Sequence, residues 1–231
     1  MSRGSVCRHR LRLWLAGELA EDAVLGGGWA DRDKRGDDEM RYSIIYADPP
    51  WSYRDKRDKH PRLCGGASKH YKTMSLLELK SLPIYSLADT NCMLFLWATF
   101  PNLQEALNLI KAWGFVYKTL GFSWIKTNKI DGKPFFGIGY YTKSNCEVCL
   151  IAVKGKPIKI SNSISSVLIS PREKHSKKPD IIRKRIVKLC GDVPRVELFA
   201  REKTEGWDVW GNQVESTIAL TQEKLREEVA S

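Results

Sequence analysis

The residues best placed to do chemistry lie in one stretch, Tyr42 to Trp51, which reads Tyr-Ser-Ile-Ile-Tyr-Ala-Asp-Pro-Pro-Trp. Asp48 supplies a carboxylate and Trp51 an aromatic plane. The two prolines lack amide protons and hold the residue before each in extended backbone. A chain stiffened in this way leaves its sheet, so the Pro49 and Pro50 carbonyls are expected to have no ladder partner. Carboxylate and carbonyl together can accept from an exocyclic NH2 while Trp51 or Tyr53 stacks on the ring that carries it. The fitting chemistry is the handling of a flat base with an amino group, its lone pair turned toward an electrophile. The competing reading is a rigid loop whose Trp only packs.

The elements around this stretch must hold it at an edge. Residues 42–47 are apolar but for Ser43, as in a strand buried on both faces, which puts Asp48 at its carboxyl end, where open α/β sheets bind ligands. Ser75 to Ser81 carries a capping box for a short helix, with Glu78 three residues after Ser75. Cys92 to Ala98 reads as a second buried strand. From Pro101 a helix with Leu103, Ala106, Leu107 and Ile110 on one face runs to Gly114. Phe115 to Lys126 reads as one long strand or a bent pair, and residues 127–143 as a long functional loop. A strand through Val148–Val153 follows, then a short one at Ser165–Ser170. A helix from Pro179, with Ile182, Ile186 and Leu189 inward, stops at Gly191 before a strand at Arg195–Ala200. Such alternation predicts an α/β fold with a doubly wound, mostly parallel sheet.

Composition limits the function classes. The chain has 231 residues and a net charge of +11, which suits one domain of moderate size. Residues 1–40 hold 7 Lys and Arg against 8 Asp and Glu, so the remaining 31 and 19 give residues 41–231 a net charge of +12. The excess concentrates in Arg54–Lys72 and Lys154–Lys188, the pattern of a polyanion-binding surface, and nucleic acid is the expected partner. The triple glycine at 26–28 and the mixed-charge run that follows predict a poorly ordered extension over residues 1–40, with Met40 as the functional start and residues 1–39 dispensable. A short helix at Leu11–Leu19 that closes one side of a pocket is the alternative. Six scattered cysteines and no membrane-length apolar run predict a soluble, cytoplasmic protein with reduced thiols. Cys146-x-x-Cys149 has no second pair at ligand spacing, so no metal is expected. There is no Gly-x-Gly-x-x-Gly, phosphate loop or Gly-x-Ser-x-Gly, which counts against a dinucleotide oxidoreductase, an NTPase or a serine hydrolase.

Several stretches together resemble one family. They are Ile45 to Trp51, His70-Tyr71-x-Thr73-Met74-Ser75, Phe95-Leu96-Trp97, Gly114-Phe115 and Trp124-x-Lys126-Thr127-Asn128. Glu147-x-Cys149-Leu150, Val153-Lys154-Gly155, Lys178-Pro179-Asp180, Glu197 to Arg201, Trp207 and Gly211-Asn212-Gln213 continue the order. They look like the adenine-N(6) methyltransferases that include the messenger-RNA adenosine methylases and phage and bacterial DNA adenine methylases. The resemblance spans residues 42–213 and implies a Rossmann-like sheet of permuted motif order with S-adenosylmethionine as donor. By position it implies that Asp48, Pro49, Pro50 and Trp51 are catalytic. Tyr53, His70, Tyr71, Lys143, Asn145 and Glu147 would meet the target base or nucleic acid, with Tyr53 to His70 as a lid. Asp48, Lys178, Arg201, Asn212 and Gln213 would meet the donor. Two departures stand out: no clear acidic donor contact precedes the catalytic strand, and Lys143 stands where the family often has arginine. The expected reaction is methylation of adenine in DNA, on the build of the compact phage and bacterial members. RNA as substrate and a catalytically silent nucleic-acid-binding subunit are the alternatives. Residues 214–231 are expected to form a C-terminal helix.

Overall fold

The computed structural model describes residues 41–52, 73–137, 141–172 and 177–220. The expected extension over residues 1–40, its start at Met40, and Tyr53, His70 and Tyr71 of the expected lid lie outside the described residues.

Seven strands form one sheet: β1 Tyr42–Ala47, β2 Ala88–Ala98, β3 Val116–Thr127, β4 Cys146–Lys154, β5 Val167–Pro171, β6 Arg195–Leu198 and β7 Asp208–Trp210. Their order across the sheet is β5-β3-β4-β2-β1-β6-β7. β1 lies parallel to both β2 and β6, β6 to β7, and β3 to β5. β4 is antiparallel to both of its neighbours, so it alone runs against the rest. A parallel crossover needs a covering element, and the described parts of 128–145 offer no helix. β4 is therefore reversed, and it begins at the edge where the other strands end.

Alternate residues of the central strands enter two cores. Ile45, Ala47, Leu94, Leu96 and Ala98 face a core with α3 (Leu103–Ala112), whose Ala106, Leu109 and Ile110 are buried. Ile44, Tyr46, Phe95 and Trp97 face the other, with Ile182 and Ile186 of α4 (Ile181–Cys190). Helices on both faces make this the doubly wound, mostly parallel sheet the alternation predicts, and the fold is the α/β, Rossmann-like one.

Short elements complete the frame. α1 (Leu76–Lys80) starts at Ser75, whose hydroxyl accepts from the Glu78 amide while the Glu78 carboxylate accepts from the Ser75 amide at 2.7 Å. α2 (Ile84–Leu87) and β7 are additions to the expected set. β3 is one strand whose register slips between Tyr117 and Thr119 and between Leu120 and Phe122, which joins the two expectations for that run. The expected C-terminal helix does not begin at residue 214: residues 214–220 carry no helix. β7 is an edge strand with open backbone groups, and Thr217 takes them. The Thr217 amide donates to the Val209 carbonyl at 2.9 Å, and its hydroxyl accepts from the Val209 amide at 2.8 Å. That pairing outweighs the helix tendency of so short a segment. Residues 221–231 lie outside the described residues.

Candidate active site

β1 ends at Ala47 because Pro49 and Pro50 cannot donate to a ladder. Asp48 therefore stands at the carboxyl edge of the central strand. The proline carbonyls differ from expectation. The Pro49 oxygen accepts from the Trp51 amide at 2.8 Å and the Pro50 oxygen from the Met74 amide at 2.9 Å, beside a parallel bridge between Trp51 and Met74. A carbonyl oxygen has two lone pairs, so each retains one acceptor position. Trp51 also differs from an open stacking plane: its ring is buried, and its indole N–H donates to the Trp97 carbonyl at 3.0 Å. It braces the end of β1 against β2.

Four charges meet at this edge. The Lys178 ammonium lies 2.8 and 2.7 Å from the two Asp48 oxygens and 3.2 Å from Glu147 Oε2. Glu147 also accepts from Lys126, next to it across the β3–β4 pair. The reversal of β4 brings Glu147, near its start, to the edge where β1 ends. Lys178 comes from the segment that leads into α4 and also lies 5.4 Å from the centre of the Trp97 ring. The Trp97 indole donates to the Tyr46 hydroxyl at 2.7 Å. Side-chain exposure is 9% for Lys178, 14% for Glu147 and 20% for Asp48, so Asp48 is the more open of the two carboxylates.

Their proton affinities diverge. Burial pushes the Asp48 carboxyl up, against the pull of Lys178. Burial acts the same way on Glu147, but Lys178 and Lys126 outweigh it and hold its carboxyl at about 2. Lys178 would lose proton affinity by burial, yet the two carboxylates raise it, so it stays charged. Two carboxylates that share one ammonium and are driven apart in pKa mark a candidate site on physical grounds.

The remaining expected residues fall into two groups. Arg201 follows β6 and Asn212 and Gln213 follow β7, strands parallel to β1, so all three lie at the edge that bears Asp48. Arg201 is near enough to favour the ionised Asp48. The Asn212 and Gln213 side chains are exposed and hold no hydrogen bond among the described residues. The loops that carry them are locked together. The Ala200 amide donates to the Trp210 carbonyl at 2.9 Å, and a Cβ on Gly211 would sit 2.2 Å from the Ala200 carbonyl oxygen. Phe199 packs edge-on to Trp210 with its backbone at φ 62°, a conformation unfavourable for a bulky residue. This donor set fits S-adenosylmethionine: a cation for its carboxylate, and unpaired amides beside a tight backbone cradle for its polar rim.

In the second group, the Asn145 amide donates to the Lys126 carbonyl at 3.2 Å and to the Phe135 carbonyl, so it fastens the loop before β4. Lys143 is exposed farther along that loop. Lys126 is a site member that the sequence reading missed as one. The signal was present: a lysine near the end of β3 and a glutamate near the start of β4 stand close in an antiparallel pair. Cys146 and Cys149, three apart on β4, point to opposite faces and cannot share a metal. Among the described residues no cluster of His, Cys, Asp and Glu could hold one. No helix of the described residues is long and apolar enough to cross a membrane.

Comparison with known proteins adds the following. The MT-A70 family profile matches residues 42–213. The type II methyltransferase M.MunI of Mycoplasma sp is 34% identical over 189 residues, 75% of this chain and 78% of that protein. A putative N(6)-adenosine-methyltransferase, MT-A70-like, of Medicago truncatula is 31% identical over 217 residues, 90% of this chain but 33% of its own length. The human N(6)-adenine-specific methyltransferase METTL4 is 29% identical over 191 residues, 75% of this chain and 37% of that protein. The chain thus spans about a third of the plant and human relatives.

Proposed function

The chain belongs to the MT-A70 family of methyltransferases, and from that premise we propose that it methylates the exocyclic N6 amine of adenine in DNA, with S-adenosylmethionine as donor. The observation that carries the reading is the Lys178 ammonium shared by Asp48 and Glu147 at the end of β1, beside the half-occupied Pro49 carbonyl.

Adenine's amine is a poor nucleophile because its lone pair is delocalised into the ring. Acceptors at Asp48 and the Pro49 oxygen would hold its two protons and favour a tetrahedral nitrogen, aligned for in-line attack. When bound, the donor would supply a methyl group already activated by its sulfonium charge. Lys178 would meet the donor's carboxylate, and Arg201, Asn212 and Gln213 would border its ribose and adenine. Lys178 now bonds both Asp48 oxygens, and drawing it toward a ligand carboxylate would return acceptor positions to the amine. Burial raises the proton affinity of Asp48, so it is also placed to take the proton that the alkylated amine releases. Glu147, kept ionised, would accept from the target nucleoside. Wherever the amine is paired in a duplex, the base must be flipped out to reach this edge.

DNA is supported by the type II methyltransferase, which matches over most of both chains. RNA is favoured by other relatives, among them the N6-methyladenosine RNA methyltransferase MTA1 of Cryphonectria parasitica, 26% identical over 80% of this chain. The presence of Asp48, Lys178 and Asn212 together favours activity over a silent subunit. Labelled methyl transfer to DNA and to RNA in parallel tests the reading. Labelling of DNA is expected, and label in single-stranded RNA with none in DNA of any sequence would overturn that choice.

A further inference from the structure

The loop between β3 and β4 is joined to the acidic cluster through one residue. Lys126 bonds Glu147 through its side chain, while its carbonyl accepts from the Phe135 amide at 2.8 Å and from the Asn145 side chain at 3.2 Å. Thr127 bridges to Pro134, and its carbonyl accepts from the Arg172 amide at 3.2 Å. Phe135 and Arg172 are thus fixed in register with the strand that positions Glu147. The Arg172 guanidinium lies over the Phe135 ring at 3.8 Å from its centre. Arg172 is exposed, and next to Phe135 the Phe136 side chain is 58% exposed. Between Thr127 and Ser144 the loop carries Lys129, Lys133 and Lys143 against the single acid Asp131.

A stacking pair that served only to fasten the loop to the end of β5 would be expected to sit under cover. Here the cation is exposed, beside a loop whose charged residues are mostly basic. A guanidinium that extends an aromatic stack can hold a nucleobase on its free face and a phosphate at its edge. The geometry points to the Arg172–Phe135 stack, with Phe136 beside it, as a platform for a nucleotide that flanks the target adenine in a single-stranded or opened acceptor. This rests on the proposed function and adds a recognition element outside the acidic cluster and the donor cradle.

The test uses steady-state methylation of single-stranded oligonucleotides by the full chain and by Arg172→Ala, Arg172→Lys and Phe136→Ala. The acceptor is whichever of DNA or RNA the wild type labels, with each flanking base replaced in turn by an abasic site. For the wild type, an abasic site at one flanking position should raise KM about tenfold, the scale of one lost stack. Arg172→Ala should raise KM on the intact oligonucleotide by a similar factor and show no further rise at that abasic position. Arg172→Lys, which keeps the charge and loses the plane, should fail to restore the base dependence, and Phe136→Ala should raise KM by a smaller factor. The turnover number and donor affinity should hold in all three. An unchanged KM for Arg172→Ala, or a rise that simply multiplies with the abasic effect, would overturn the platform. A wild type that labels neither DNA nor RNA would instead overturn the proposed function, and the platform with it.

Discussion

Two buried ion clusters lie on adjacent strands, and they are built differently. At β6, Arg183 meets Glu197 with two parallel bonds of 2.7 and 2.8 Å and gives a third, of 2.6 Å, to Asp180. Fork and carboxylate match, so the pair is complete in itself. At the end of β1 the Lys178 ammonium, which has no fork, is divided between Asp48 and Glu147, Glu147 also takes Lys126, and Asp48 is the more open carboxylate. The first arrangement resists exchange of partners, and the second invites it. Buried charge alone therefore does not mark a reactive site. A cluster in which a partly open carboxylate holds only a share of a single ammonium does.

The largest expected effect breaks the first cluster. Arg183→Met strands the Glu197 carboxylate inside the fold and should cost about 3–5 kcal/mol of stability, read from denaturant unfolding. Asp48→Ala should do the reverse: transfer falls at least about a hundredfold while the unfolding midpoint moves far less. If Asp48→Ala lost stability on the Arg183→Met scale, the contrast between the clusters would collapse. Gly211→Ala comes next. Its Cβ would drive the loops bearing Arg201 and Asn212 apart, so donor affinity should drop about tenfold, read by calorimetry.

The pH responses of the two acids sharpen the comparison. Glu147 is held at about 2, so its contribution to stability is present above its ordinary pKa and is lost as pH falls through about 2. Asp48 is raised, so the native state binds its proton more tightly than the unfolded chain does. Lowering pH through its native pKa protonates the carboxylate, at no cost in stability from this group, but removes its acceptor capacity. The rate should fall on the acid side at a pH higher than an ordinary aspartate would give, before any loss of fold, and Asp48→Asn should abolish that limb. Salt separates binding from folding: nucleic-acid affinity should decline with ionic strength through counterion release, and the smallest effect of all is that on the unfolding free energy, which should change little.

The sequence made legible what is local. An apolar run ended by Asp-Pro-Pro reads as a buried strand stopped at an acid, and Ser75 with Glu78 as a capped start. Gly114 and Gly191, at φ 79° and 91°, stop their helices as their type predicts. What stayed hidden depends on contacts between distant segments. The Pro50 carbonyl is taken by Met74, 24 positions on, and Trp51 is withdrawn into the core by the Trp97 carbonyl. The three residues of β7 are too few for a periodic pattern, and Thr217 attaches to them instead of extending a helix. Lys126 and Glu147 were each visible as residues of the resemblance. Their pairing appears only when β4 is known to run backward.

The central claim is that the Asp48 cluster presents the amine of adenine to a methyl donor. The most direct measurement is mass spectrometry of nucleosides from single-stranded DNA incubated with S-adenosylmethionine and either the full chain or Asp48→Ala. The account predicts N6-methyladenine from the full chain and at least about a hundredfold less from the variant. Equal yields from both, or methyl groups on any other atom, would contradict it.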